Sequence, residues 1–328
     1  MNVSRSNGRV IALCGGVGGA KLAYGLQYIL GSDLTLIVNT GDDFEHLGLK
    51  ISPDIDTVLY TLSGLANREL GWGRQDESWN FMETLAGLGG ETWFRLGDRD
   101  LALHAERTRR LRTGETLSSI TSSFAAHFGI AAQVLPMSDD PISTVVASSE
   151  GVLPFQRYFV ERRCAPQVES IHFERAASAR ASSEVLSALG DPDLQAIIVC
   201  PSNPFLSIDP ILSVPGIGSA IRAASVPMVA VSPIIGGKAV KGPTDKIMDE
   251  LGVPRTSKAI AEHYGALIDG LVVDVSDADE CEIAGCAVRL AASLMKTDDD
   301  RIRLAGETLE FARQLASSPQ RAAQRQKL

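Results

Sequence analysis

The first forty residues carry the pattern that most narrows what this chain can fold into. Val10–Cys14 is a short apolar run, Gly15–Gly19 is a glycine-rich turn, and Ala20–Leu30 places Leu22, Leu26, Ile29 and Leu30 at helical spacing. A second apolar run, Leu34–Thr40, comes next. A helix-period segment between two apolar strands predicts a βαβ unit with parallel strands and a right-handed crossover.

The same alternation returns in the second half. Ala196–Cys200, Val226–Val231 and Leu271–Val275 read as strands, with helices near 216–224, 245–251, 258–263 and 280–294. The expected fold is α/β, Rossmann-like and doubly wound, with a mainly parallel sheet. In between, the pattern turns helical at 79–88, 101–111 and 117–128, then strand-like at 133–136 and 144–148. This predicts a core made of 9–61 and 164–316, a mostly helical insertion over 62–163 that covers the ligand site, and a flexible polar tail at 317–328.

A formal net charge of -9 argues against nucleic acid and anionic membranes as partners, because both attract clustered Lys and Arg. The five cysteines, Cys14, Cys164, Cys200, Cys281 and Cys286, show no C-x-x-C pair and no metal-ligand spacing. With no apolar stretch of signal or spanning type, the expectation is a cytoplasmic protein.

Four carboxylates, Asp42, Asp43, Asp54 and Asp56, fall within fifteen residues directly after the second strand. Crowded at the mouth of a sheet, they repel one another unless a cation or hydrogen-bond donors hold them, and Mg2+ is a hard cation that suits them. Asp54 or Asp56 would also suit the N-cap of a helix beginning near Thr57. The loop Gly15-Gly16-Val17-Gly18-Gly19-Ala20-Lys21 can bring backbone N–H groups to a phosphate, or simply pack a helix tightly on a strand. It is neither a Walker loop nor a clean G-x-G-x-x-G.

Three further segments join them. In Leu96-Gly97-Asp98-Arg99-Asp100 the Arg99 guanidinium is a planar fork suited to phosphate or a carbonyl edge, while Asp98 suits a helix cap. Pro201-Ser202-Asn203-Pro204 is a rigid polar loop after a strand, and Ser232–Pro243 adds the amides of Gly236 and Gly237 with the cations Lys238 and Lys241. These loops and the acidic cluster describe a site for a phosphorylated ligand and a metal. The five histidines show no metal spacing and none is assigned a catalytic role; Trp72, Trp79 and Trp93 are expected to pack the insertion.

Taken in order from Val10 to Val275, with the acidic turn Leu135–Asp140 included, these motifs closely resemble the 2-phospho-L-lactate transferase family. The resemblance implies a transferase that moves a phosphorylated three-carbon acid from a GDP-linked donor to the ribityl hydroxyl of the deazaflavin Fo. Coenzyme F-420-0 or an analogue would form and GMP would leave. It implies Mg2+ held at Asp42, Asp43 and Asp54, and catalytic roles for Asp56 and Asp42. Asp56 and Arg99 would touch the deazaflavin. Gly15, Gly16, Gly18, Gly19, Lys21, Ser202, Asn203, Ser232, Gly236, Gly237 and Lys241 would line the donor. A homodimer, functionally coupled to a guanylyltransferase that supplies the donor, is likewise implied. Val17 and Ala20 depart from the archaeal version of the glycine loop, which leaves the acid open among 2-phospholactate, phosphoenolpyruvate and 3-phosphoglycerate. The alternatives are a noncatalytic nucleotide-sugar-binding regulator of the related gluconeogenesis-factor type, and a nicotinamide-dependent dehydrogenase that would use Asp42 for the ribose.

Overall fold

Seven strands form one sheet: β1 (Arg9–Cys14), β2 (Leu34–Val38), β3 (Gln133–Pro136), β4 (Leu194–Val199), β5 (Met228–Val231), β6 (Gly270–Asp274) and β7 (Ala287–Ala291). They lie in the order 7-6-5-4-1-2-3, and every pairing is parallel. The computed structural model that shows this describes residues 8–69, 71–240, 242–280, 282–283 and 285–317. Lys241 and the tail from residue 318 therefore lie outside the described residues.

The sheet is covered on both faces, which is why its strands read as unbroken apolar runs. Along β1, Val10, Ala12 and Cys14 enter one core, and Ile11 and Leu13 enter the other. The first core lies under α1 (Gly16–Leu30), α2 (Pro53–Leu62) and α4 (Asp298–Ala316); α3 (Asp98–Arg112) stands beyond them, in the stretch read as an insertion. The fold is thus a doubly wound α/β sheet, as expected.

Several elements differ from the sequence reading. The helix expected at 280–294 is instead the edge strand β7, where pairing with β6 overrides the helical preference of an Ala- and Leu-rich run. The helix α4 was not anticipated, although Thr297 and Asp300 close a capping box at its start. Residues 133–136, inside the range read as insertion, pair with β2 and extend the main sheet. Much of the rest of that range also packs onto the main sheet, with Leu117 and Ala125 in one core and Ile142, Val146 and Phe155 in the other, while Met82 and Leu96 join Ile51 in a small separate cluster against Phe44, Trp79 and Phe94. Among the described residues, no single helix is long and apolar enough to cross a membrane.

At Gly25 the helices α1 and α4 approach backbone to backbone. A Cβ placed on Gly25 would fall inside the van der Waals shell of the Arg301 carbonyl oxygen, a backbone atom that cannot rotate away. Gly25→Ala is therefore expected to push the helices apart and cost about 1–3 kcal/mol. Equilibrium denaturation checks this; an unchanged midpoint would show that the helices do not meet there.

Candidate active site

The strand order reverses between β1 and β4, so the loops leaving their carboxyl ends diverge and open a crevice. A cleft of about 480 Å³ lies there. Its floor is made of the loops after β1, β2, β4 and β5, and its walls include Trp72, Phe94, Arg95, Asp100 and His104 from the stretch read as an insertion.

The glycine loop is the first turn of α1 rather than a separate turn before it. Gly16 has φ +63°, a left-handed backbone that favours glycine. At Gly18 a side chain would collide with the Pro201 carbonyl, so the loops after β1 and β4 touch backbone to backbone. Ser202 locks them together: its Oγ accepts from Gly15 N–H at 3.2 Å and donates to Gly15 O at 2.8 Å. Lys21 donates to the Met295 carbonyl at 3.0 Å. Gly16, Gly18, Lys21, Ser202, Asn203 and Ser232 line the cleft, whereas Gly15 and Gly19 lie behind it.

Pro53 occupies the first turn of α2, so Asp54 and Asp56 lie within that turn and neither is its N-cap. Asp54 instead caps a different helix. Its Oδ1 accepts from Gly16 N–H at 2.7 Å, and its Oδ2 accepts from Asn39 Nδ2 at 2.9 Å. Asp42 and Asp43 are held less fully: among the described residues each keeps a buried Oδ1 without a hydrogen-bond partner, while Ser52 Oγ donates to Asp43 Oδ2 at 2.6 Å. Burial pushes the Asp42 carboxyl well above its usual range, and repulsion from Asp54 and Asp43 adds to this against the Asn39 amide. Burial also raises Asp43 well above that range, opposed by Ser52 and Arg107.

Asp56 is paired. Arg107, 1 % exposed, sets its guanidinium on both carboxylate oxygens, with Nη1 at 3.1 Å from Oδ2 and Nη2 on Oδ1. Burial still raises the Asp56 carboxyl, against the pull of Arg107 and His104. His104 Nδ1 lies 3.3 Å from Arg107 Nη1, and its Nε2 lies 3.1 Å from Asp100 Oδ2. Tyr60 OH donates to Asp100 Oδ1. The ligand atoms of Asp56, Asp100 and His104 all fall within 4.8 Å of one another.

Sequence reading missed Arg107 and His104. The signal was the spacing of Asp100, His104 and Arg107, four and three residues apart, which puts all three on one face of α3.

Other predicted residues sit elsewhere. Arg99 is outside the lining, half exposed and 3.9 Å from Asp76, while Arg95 lines the cleft with its guanidinium 4.1 Å over the Trp79 ring. The amides of Gly236 and Gly237 do not point at a ligand; they donate to Asp277 at 2.8 and 2.9 Å and close a hairpin. Asn203 caps its own turn through Phe205 and Leu206 N–H, and Ser232 Oγ shares a hydrogen bond with Ser257 at 2.8 Å. Trp79 and Trp93 pack as expected, but Trp72 is 48 % exposed at the cleft.

Comparison with known proteins agrees with this architecture. Two solved structures of a Bacillus halodurans protein, one described as a member of the upf0052 family, superpose with TM-scores of 0.61 and 0.59 at 19 % and 18 % identity. They cover 92 % of this chain and 99 % and 98 % of theirs, a likeness of fold alone. Among sequence relatives, proteins named phosphoenolpyruvate transferase from Streptomyces griseus and Streptomyces coelicolor are 44 % and 42 % identical, over 94 % of this chain and 99 % of each relative. One of the same name from Thermobifida fusca is 41 % identical over 94 % of this chain and 98 % of its own length. The family model for 2-phospho-L-lactate transferase CofD matches residues 10–309, from the first strand of the sheet to α4, and the chain belongs to that family.

Proposed function

We propose that this protein transfers a phosphoenolpyruvyl group from a GDP-linked donor to the terminal ribityl hydroxyl of the deazaflavin Fo, with release of GMP. The observation that carries the reading is the junction at the switch point, where the N-terminus of α1, capped by Asp54, shares the cleft with Asp42 and its unpartnered Oδ1. Family membership supports a transferase of phosphorus-containing groups. Phosphoenolpyruvate is favoured among the three acids by the relatives' names.

A hard divalent cation suits Asp42, which lines the cleft, and its neighbour Asp43 outside the lining, because each keeps an unpartnered Oδ1 among the described residues and both carboxyls are driven up by burial. Asp42 and Asp43 would hold it, with Asp54 adding negative potential while its oxygens stay on Gly16 and Asn39. Bound there, Mg2+ supplies neutralisation of the diphosphate and of the charge gathering on departing GMP.

The chain's own residues do the rest. The first turn of α1, with its Gly16 N–H already held by Asp54, offers its positive end to the diphosphate. Asp56, fixed by Arg107, accepts a hydrogen bond from the attacking hydroxyl and aligns it, which in-line phosphoryl transfer requires more than covalent help. A general base would lose roughly 10²–10⁴ in rate on neutralisation. With the Arg107 fork drawing on both oxygens, Asp56→Asn is expected to lower turnover only about ten- to a hundredfold, as for loss of a charged hydrogen bond. Single-turnover rates at saturating Fo decide between these two magnitudes.

The direct test supplies Mg2+, Fo and each of the three guanylylated acids, and measures GMP and the phosphodiester product. Turnover fastest with the phosphoenolpyruvyl donor is the expected result. Tight binding of a sugar nucleotide without turnover would overturn it in favour of the regulator reading.

A further inference from the structure

The cluster of Asp56, Asp100 and His104 has the composition of a metal site, but its hydrogen-bonding pattern is that of something else. Arg107 can only donate, so His104 Nδ1, 3.3 Å from its Nη1, serves as the acceptor and Nε2 carries the hydrogen. A nitrogen bearing hydrogen has no lone pair for a cation. Asp56 is already neutralised by the Arg107 guanidinium, a fixed positive charge beside any ion placed there. Two of the three ligands are thus unsuited to a metal.

What remains is a donor and an acceptor side by side. His104 Nε2 is buried in the cleft wall, 3.1 Å from Asp100 Oδ2, yet makes no well-aligned hydrogen bond. Asp100 is the most open member, with its side chain 17 % exposed against 7 % for Asp56 and 1 % for His104. Its other oxygen is held by the Tyr60 phenol, which burial and the nearby Asp100 and Asp56 keep protonated. Burial works against ionisation of Asp100, but the neighbouring His104 ring and the Tyr60 donor outweigh it and lower the carboxyl. A hydroxyl both accepts and donates, so a single one can take the His104 hydrogen and give its own to Asp100.

We propose that Asp100 and His104 form a hydroxyl-reading subsite for the polyol chain of the acceptor, one step along the wall from Asp56. This rests on the reading of the cleft as a transferase site, and it leaves the divalent ion to Asp42 and Asp43. Tyr60 is a positioning residue that fixes the Asp100 carboxylate.

The test is a steady-state analysis of Asp100→Asn, His104→Leu and His104→Gln, with Fo, the donor and Mg2+ varied separately. Wild-type turnover comes first: if no GMP is released, the transferase reading fails. Given turnover, Asp100→Asn is expected to raise the KM for Fo about 10- to 100-fold, with kcat, donor KM and Mg2+ half-saturation changed less than threefold. His104→Leu should raise the same KM, and His104→Gln, which keeps a donor, should recover most of the loss. Calorimetric titration adds an independent readout: a deazaflavin lacking the polyol should bind wild type and Asp100→Asn equally. An unchanged KM for Fo in Asp100→Asn overturns the proposal. So does a tenfold shift in Mg2+ half-saturation, which would make the cluster a metal site. If Asp100→Asn does not fold, Tyr60→Phe carries the same test, with a rise in the KM for Fo expected and an unchanged value overturning the subsite.

Discussion

Asp42→Asn is expected to lower turnover by roughly 10²–10³-fold, as when one preorganised electrostatic partner of the reacting charge is removed. The carboxylate lines the cleft with a buried Oδ1 that has no hydrogen-bond partner among the described residues. Asparagine keeps the shape and removes the charge that would hold a divalent ion against the diphosphate. The same substitution should make the metal-free protein more stable. The folded Asp42 carboxyl lies well above the unfolded value of about 3.9, so its contribution is fully present at lower pH. That contribution is lost as pH rises through the folded value, by at most about 1.4 kcal/mol per pH unit. D42N does not titrate there, so its stability advantage over wild type should grow from about pH 4 toward neutrality. Mg2+ should reverse the order by stabilising wild type and leaving D42N nearly unmoved. Thermal denaturation of both proteins at several pH values, with and without Mg2+, measures all of this. Equal Mg2+ stabilisation of the two would remove Asp42 from the ion site.

Arg107→Met should be the most destabilising single change in the site, by about 3–5 kcal/mol, because it leaves the Asp56 carboxylate buried and unpaired. Arg107 is among the largest fully buried side chains, and it also faces His104 and Asp43, whose negative charge its guanidinium offsets. The decisive comparison is the double variant. Replacing Asp56 by leucine together with Arg107 by methionine removes both charges, and stability should return to within about 1–2 kcal/mol of wild type while activity stays lost. If the single and double variants were equally unstable, the large cost would come from packing of the arginine stem and not from the orphaned charge. Denaturant unfolding gives both numbers.

Local features were legible in the order of the residues alone. The βαβ start could be read because a strand buried on both faces must be apolar at every position, and because α1 repeats every three to four residues. The acidic cluster was legible as a concentration of like charge needing an explanation. Residues 280–294 misled because Ala and Leu favour a helix locally, whereas pairing with β6 decided the outcome. The role given to Gly236 and Gly237 failed for a related reason: Asp277, some forty residues away, takes their amides. The pairing of Asp56 with Arg107 spans 51 residues and carries no sequence signal beyond the face of α3.

By itself the sequence determined which segments are strands and helices along most of the sheet, and that carboxylates gather after the second strand, since periodicity and composition are properties of neighbouring residues. Only the tertiary structure decided what each carboxylate became. Asp54 caps a distant helix, Asp56 is neutralised by Arg107, Asp100 is held by Tyr60 and faced by His104, and Asp42 and Asp43 keep bare oxygens. The charge and reactivity of a buried acid depend on desolvation and on partners brought in from far along the chain, and neither exists until the chain has folded.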